Sequence, residues 1–169
     1  MRKKTSPKPL IPESRISQPT GWVCQAIADP TFLLSAMPYL FEFDSSHRVL
    51  RCTMSGPVTD EGLCEYCKAA ANHVQRRDPA ASILNLTQVS SIEISSVTIR
   101  NLASSSPSPQ CASLPQFIVA SSDYGYGMAR MFQLWGGRVR PGLKVVRSLA
   151  EAYEAIGLEE PHFGPIPEN

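Results

Sequence analysis

Cys64 and Cys67 are spaced as C-x-x-C. In a redox protein that spacing sets two thiols at a helix N-terminus, where the helix dipole lowers their pKa and lets them cycle between dithiol and disulfide. Here the pair falls several residues inside a helical pattern, where the dipole has faded. The spacer Glu65-Tyr66 also lacks the small or proline residue of thioredoxin-like sites. The pair is read as two helix cysteines packed against a sheet, and it is the sole candidate carrier of enzymatic chemistry. The three histidines, His47, His73 and His162, stand singly without metal-ligand spacing, so no metal and no cofactor is expected. Serines are many, but no G-x-S-x-G elbow occurs and no acid and histidine assemble a triad with one, so no catalytic residue is assigned. Gly125-Tyr126-Gly127 lacks the full phosphate-binding pattern and is read as a turn. The segment from Arg130 to Arg147 carries Arg130, Arg138, Arg140, Lys144 and Arg147 and no acidic residue. Its plain reading is a solvated face and loop. Its functional reading is a docking face for an acidic partner or a phosphorylated ligand, with Arg130, Arg138 and Arg140 as contacts.

Length and composition frame these residues. The chain has 169 residues, 43% of them hydrophobic, enough for one domain with one core and no staple. Five cysteines make an odd set, and the N-terminus shows no secretory pattern, which predicts reduced thiols in the cytoplasm. No apolar run approaches the roughly 20 residues of a membrane-spanning helix, so no membrane insertion is expected. Residues 1 to 15 hold five basic residues against Glu13, whereas the remainder is acidic by three charges. Nothing downstream alternates aromatic with basic residues, so nucleic acid is not an expected partner. Asn85-Leu86-Thr87 is a sequon, but it lies in a predicted buried strand of a non-secreted chain.

The elements that would position a site follow from periodicity and punctuation. Residues 1–20, rich in proline, serine and charge, are expected to be a disordered extension, and 21–38 an apolar packing segment of undetermined form. From Tyr39, YLFEF, the turn-prone Asp44-Ser45-Ser46 and the alternating HRVLRCTMSG predict a hairpin ended by Gly56 and Pro57. Leu63, Cys67, Ala70 and Val74 then recur at helical spacing up to Arg77. SILNL (82–86) predicts a buried strand, and Ser95 or Ser96 caps a helix bearing Ile99 and Leu102 that stops before the loop SSSPSP (104–109). PQFIVA (115–120) predicts a strand. Asp123 is the expected cap of a helix ended by Gly136 and Gly137. LKVVR (143–147) predicts the last strand, and Ser148 with Glu151 forms a capping box opening a helix closed by Gly157. Helical connections between the later strands imply right-handed crossovers. The expected fold is α/β: a mainly parallel sheet of four to five strands with an antiparallel strand at its start and helices packed on it, spanning 39–158, followed by a flexible tail at 159–169.

The stretch LNLTQVSSIEISSVTIRNL (84–102) resembles the central strand, loop and helix of STAS domains, the family of anti-sigma-factor antagonists, where it runs approximately L-D-L-S-x-V-x-x-I-D-S-S-G-L. FEFDSSHRVLRCTMSGPVTDEG resembles the opening hairpin of that family, and the likeness extends over residues 39 to 158. The resemblance implies a non-enzymatic protein-interaction and signalling module of bacterial type. Its phosphoacceptor serine maps to Ser95, and its regulatory, partner-binding surface to Thr87, Glu93, Ser95 and Ser96. The implied partner is an anti-sigma factor or a serine-kinase-like protein. Three of the chain's departures from the pattern bear on the phosphoacceptor: Glu93 stands for aspartate, Ile94 for the first serine and Ser96 for glycine. The alternative function is a small-molecule or nucleotide-binding domain using the C-terminal ends of the parallel strands, in the crevice near Thr87 and Ser121.

Overall fold

A computed structural model of the protein describes residues 39–166; the expectations for residues 1–20 and 21–38 lie outside the described residues. The chain begins with a hairpin, β1 (Tyr39–Asp44) and β2 (Val49–Thr59), paired antiparallel from Tyr39↔Met54 to Asp44↔Val49. Its turn is built around Asp44, whose carboxylate accepts from the amides of Ser46 at 2.9 Å and His47 at 3.0 Å. This is the local hydrogen bonding that makes Asp a turn residue. Asp44 is fully buried, and its other oxygen accepts from the amide of His162 at 2.8 Å.

After β2 come α1 (Asp60–Arg77), β3 (Ala81–Glu93), α2 (Ser96–Ser104), α3 (Pro109–Ser113), β4 (Gln116–Val119), α4 (Asp123–Gly136), β5 (Leu143–Val146), α5 (Leu149–Ile156) and β6 (Gly164–Pro165). The strand order is β5-β4-β3-β2-β1-β6, with β2 to β5 parallel and β1 antiparallel to both its neighbours. The mainly parallel α/β sheet with an antiparallel strand at its start is therefore present, and it has six strands where four to five were expected. The sixth is a correction to the predicted tail. Residues 164 and 165 pair with Phe43 and Glu42, and the amide of Ile166 donates to Phe41 at 3.0 Å, so the backbone beyond 158 finds its hydrogen bonds on the sheet edge.

Two further boundaries differ from expectation. Gly56 and Pro57 do not end β2; they sit at register shifts against β3, with Gly56 at φ 74, and the strand continues to Thr59. Among the described residues β1 pairs with β2 only as far as Met54, so Pro57 lies past the end of that pairing. The predicted 104–109 loop contains the start of α3, whose signals are Ser108 as cap and Pro109 at the first helical position. The cap of α4 is Ser122, not Asp123: its hydroxyl accepts from the Gly125 amide at 3.1 Å. A Cβ at Gly125 would come within 2.9 Å of that hydroxyl, which is why glycine stands there. The Ser148 cap and the Gly157 stop at φ 69 are as the sequence predicts.

Side-chain alternation divides the sheet. Val49, Ala81, Ile83, Phe117 and Val119 face α5 and pack on Ala152 and Leu158. Leu50, Cys52, Met54 and Ile118 face the opposite layer of α1, α3 and α4. Burial alone would push the Asp44 carboxyl up, but the amides of His162 and His47 and the His47 imidazole outweigh it and hold the pKa at about 2. A folded pKa below the unfolded one contributes stability that is complete above about pH 4 and lost as pH falls through about 2. Asp44→Asn is expected to lose about 2 kcal/mol in urea unfolding at pH 7. The gap from the wild type should close as pH drops from 4 to 2; a gap independent of pH would show that the charge is not what the turn uses.

Candidate functional site

Glu93 ends β3, Ser95 caps α2 and Ser96 is its first residue, so these three expected site residues share one short connector at the C-terminal end of the sheet. All three are exposed. The Ser95 hydroxyl accepts from the Thr98 amide at 3.1 Å and lies 3.0 Å from the Thr98 hydroxyl, which is a helix cap in full. The Ser95 amide donates to the Asp60 carboxylate at 2.9 Å, so the first residue of α1 holds the entrance of α2. Glu93 accepts from the Ser91 hydroxyl at 3.0 Å. Thr87 does not join them. It is an exposed residue of β3 whose amide donates to Asn85 at 3.1 Å, and six residues of extended chain, roughly 20 Å, separate it from Glu93.

The arginines divide in a way the sequence did not indicate. Arg130 and Arg138 are exposed, and Arg130 donates to the Gln133 side chain one turn along its helix. Arg140 is half-buried: its Nη1 donates to the carbonyls of Ala103 at 2.7 Å and Ser105 at 3.2 Å, and the guanidinium lies 5.2 Å from the Phe132 ring. It satisfies carbonyls at the C-terminal end of α2, where a cation is favoured. Burial lowers its pKa, and the neighbouring Cys67 and Cys111 thiols work the other way. Among the described residues no carboxylate pairs with it. Arg147 meets Asp123 at 2.8 Å and stacks 3.9 Å over Tyr126. It also donates to the Ser121 carbonyl at 3.3 Å, in the region where a strand-end crevice was expected.

Cys64 and Cys67 lie on α1 beyond its first turn, and among the described residues no disulfide joins Cys52, Cys64, Cys67 or Cys111. Burial pushes Cys67 up to about 11 and Cys52 to about 12, and the buried Tyr66 hydroxyl is also raised, by desolvation first and then by the neighbouring thiols. These are environments that keep a thiol protonated. Among the described residues no three histidine, cysteine or acidic side chains converge on a metal-binding point.

Cys67, Cys111 and Arg140 line a cavity of about 390 Å³ between the sheet and the helical layer. Its sheet wall includes Leu84 and Ile118, and its helical walls include Ala70 of α1, Ile99 of α2 and Phe132 of α4. Its exposed lining residues, Ala71, Ser106 and Ser108, mark the mouth between α1 and the α2–α3 connection. A polar crevice lies on the α5 side between Arg51, Thr53 and Asn85, and Thr87 and Ser121 line neither. The cavity was missed in the sequence. The signal for it is Ala69-Ala70-Ala71, small side chains in the middle of a helix that faces a sheet of larger ones.

No protein-family model matches the chain, and no curated protein matches it. Among solved structures, an uncharacterised protein of the DUF3478 family with a SpoIIAA-like fold, from Shewanella loihica, is similar to it. The likeness covers 72% of this chain and 94% of that one, at 10% identity and a TM-score of 0.46.

The thiol environments are open to a direct check. In the folded protein at pH 8, iodoacetamide is expected to leave Cys52 and Cys67 unmodified over a time that fully labels an unfolded control, as read by peptide mass spectrometry. Rapid labelling of Cys67 in the folded state, or a Cys64–Cys67 disulfide after mild oxidation, would restore redox chemistry as a reading.

Proposed function

We propose that the domain is a non-enzymatic protein-interaction module of STAS type, switched by phosphorylation of Ser95. The observation that carries this reading is the position of Ser95: an exposed hydroxyl on the cap of α2, with its own amide held by Asp60. A phosphate there adds about −1.5 to −2 charges beside the helix N-terminus, which favours it, and beside Asp60 and Glu93, which do not. The acid that must yield is Asp60, because its bond to the Ser95 amide is what ties the connector to α1. Phosphorylation thus exchanges one tether for another and moves the surface a partner reads. Val97, 65% exposed on the first turn of α2, gives that partner an apolar contact next to the switch. The implied partner is an anti-sigma factor or a serine-kinase-like protein, with the exposed Arg130 and Arg138 as a second contact for an acidic surface. Arg140 is left out of that contact, since it is half-buried against the end of α2, with its Nη1 on the carbonyls of Ala103 and Ser105. The setting proposed is the cytoplasm, where cysteines such as Cys52, Cys67 and Cys111, which form no disulfide among the described residues, stay reduced.

Affinity capture from the native host, comparing wild type with Ser95→Asp, should return a kinase-like or sigma-regulating protein with the wild type that the variant loses, and phosphate on the Ser95 peptide. An unmodified Ser95 and identical captures would remove the switch from the proposal. Ser95→Ala separates the cap from the switch: it should cost about 1 kcal/mol of stability by loss of the cap alone.

A further inference from the structure

We infer that the cavity beneath α1, α2 and α4 is a binding site for a medium-chain fatty acid, with its hydrocarbon chain along the sheet and its carboxylate on Arg140. Protein interiors are packed without voids much larger than a water molecule, and about 390 Å³ lies within the range of small-molecule pockets. The lining runs from Phe41 on β1 to Leu143 on β5, across four inter-strand gaps, a span of about 19 Å at ordinary strand spacing. The lining over that span is mainly aliphatic and aromatic, the kind of surface a hydrocarbon chain packs against.

The charges select the head group. Among the described residues lining the cavity, Arg140 is the one charged side chain, and no aspartate or glutamate is present. Its Nη1 is taken by the Ala103 and Ser105 carbonyls, but among the described residues no carboxylate pairs with it, so a half-buried guanidinium lines the cavity without an anionic partner. A charge in that setting calls for an anionic partner, and a ligand carboxylate meets a guanidinium with charge-assisted hydrogen bonds. The exposed Ser106 at the mouth supplies a further hydroxyl at the same end, whereas the Ser105 hydroxyl donates to the Leu102 carbonyl at 2.8 Å. A nucleotide would bring several negative charges on its phosphates, and among the described residues the lining offers one cation. The proposal is independent of the Ser95 switch, since no residue invoked for one serves the other.

The test is calorimetric titration of the delipidated full chain with dodecanoate below its micelle concentration, and with dodecanol as the same chain without the charge. Saturable one-to-one binding is expected, with dodecanoate about tenfold or more tighter than dodecanol. Arg140→Gln should erase that difference while leaving dodecanol binding in place. Ala70→Phe, which fills the cavity from α1, should abolish binding of both while circular dichroism stays that of the wild type. If Arg140→Gln does not fold, the comparison of the two ligands on the wild type still decides the role of the charge. Absence of saturable binding by the wild type would overturn the site. Dodecanol binding as tightly as dodecanoate would overturn the assignment of the head group, and binding unaffected by Ala70→Phe would place the ligand elsewhere.

Discussion

The sheet depends on one carboxylate. Asp44 stands where the first hairpin turns, has no exposed surface, and has its charge satisfied by amides at residues 46, 47 and 162. An unpaired buried charge is costly, so the turn is stable in one arrangement only. That arrangement pins Asp44 opposite Val49, and with it the register of the hairpin. Register matters because the side-chain period of a strand is two, and a slip by one residue would turn Leu50, Cys52 and Met54 away from their helices. Beside the turn, Arg51 meets Glu42 at 2.8 Å, bonds the Tyr153 hydroxyl at 2.6 Å and lies 3.9 Å over Phe163, so α5 and the C-terminal segment are fastened to the same hairpin.

The two faces of the sheet are used differently. Among the described residues one carries α5, packed on Val49, Ala81, Ile83, Phe117 and Val119. The other carries four helices that do not close completely, because the alanines of α1 stand where larger side chains would fill the space. The connector between β3 and α2 belongs to both sides of this contrast. Glu93 and Ser95 point their polar groups to solvent, while Ile94 between them packs with Met54 and Val58 and lines the cavity. Surface and interior thus meet in three consecutive residues, joined to α1 by the single bond from Asp60.

Much of the architecture was legible because it is locally encoded. Ser95, Ser148 and Gly157 mark helix ends by their own chemistry, and the caps stand where those residues fall. Competing local signals misled at Asp123, where Ser122 caps instead and the acid meets Arg147. What was not legible depends on distant partners. Gly56-Pro57 stops a strand by composition, yet here β2 runs on beside β3 to Thr59, and that pairing is a property of β3. The strand at 164–165 has no periodicity of its own and exists through its pairing with β1. At the candidate site, three of four residues were gathered because a sequence motif is a local object; Thr87 was drawn in by the motif and separated by the length of β3. Arg140 looked like surface charge because nothing in its neighbourhood announces the carbonyls of α2, 35 and 37 residues away.

The Asp44–His162 bond joins residues 118 positions apart. During synthesis the hairpin is made early and its last partner late; at ~5–20 residues per second the interval is on the order of ten seconds. Through that time the β1 edge is without β6 and the carboxylate has only its nearest neighbours to bond. The nascent sheet therefore leaves the ribosome with an open edge, and the latch that shuts it is among the last residues of the domain to be made.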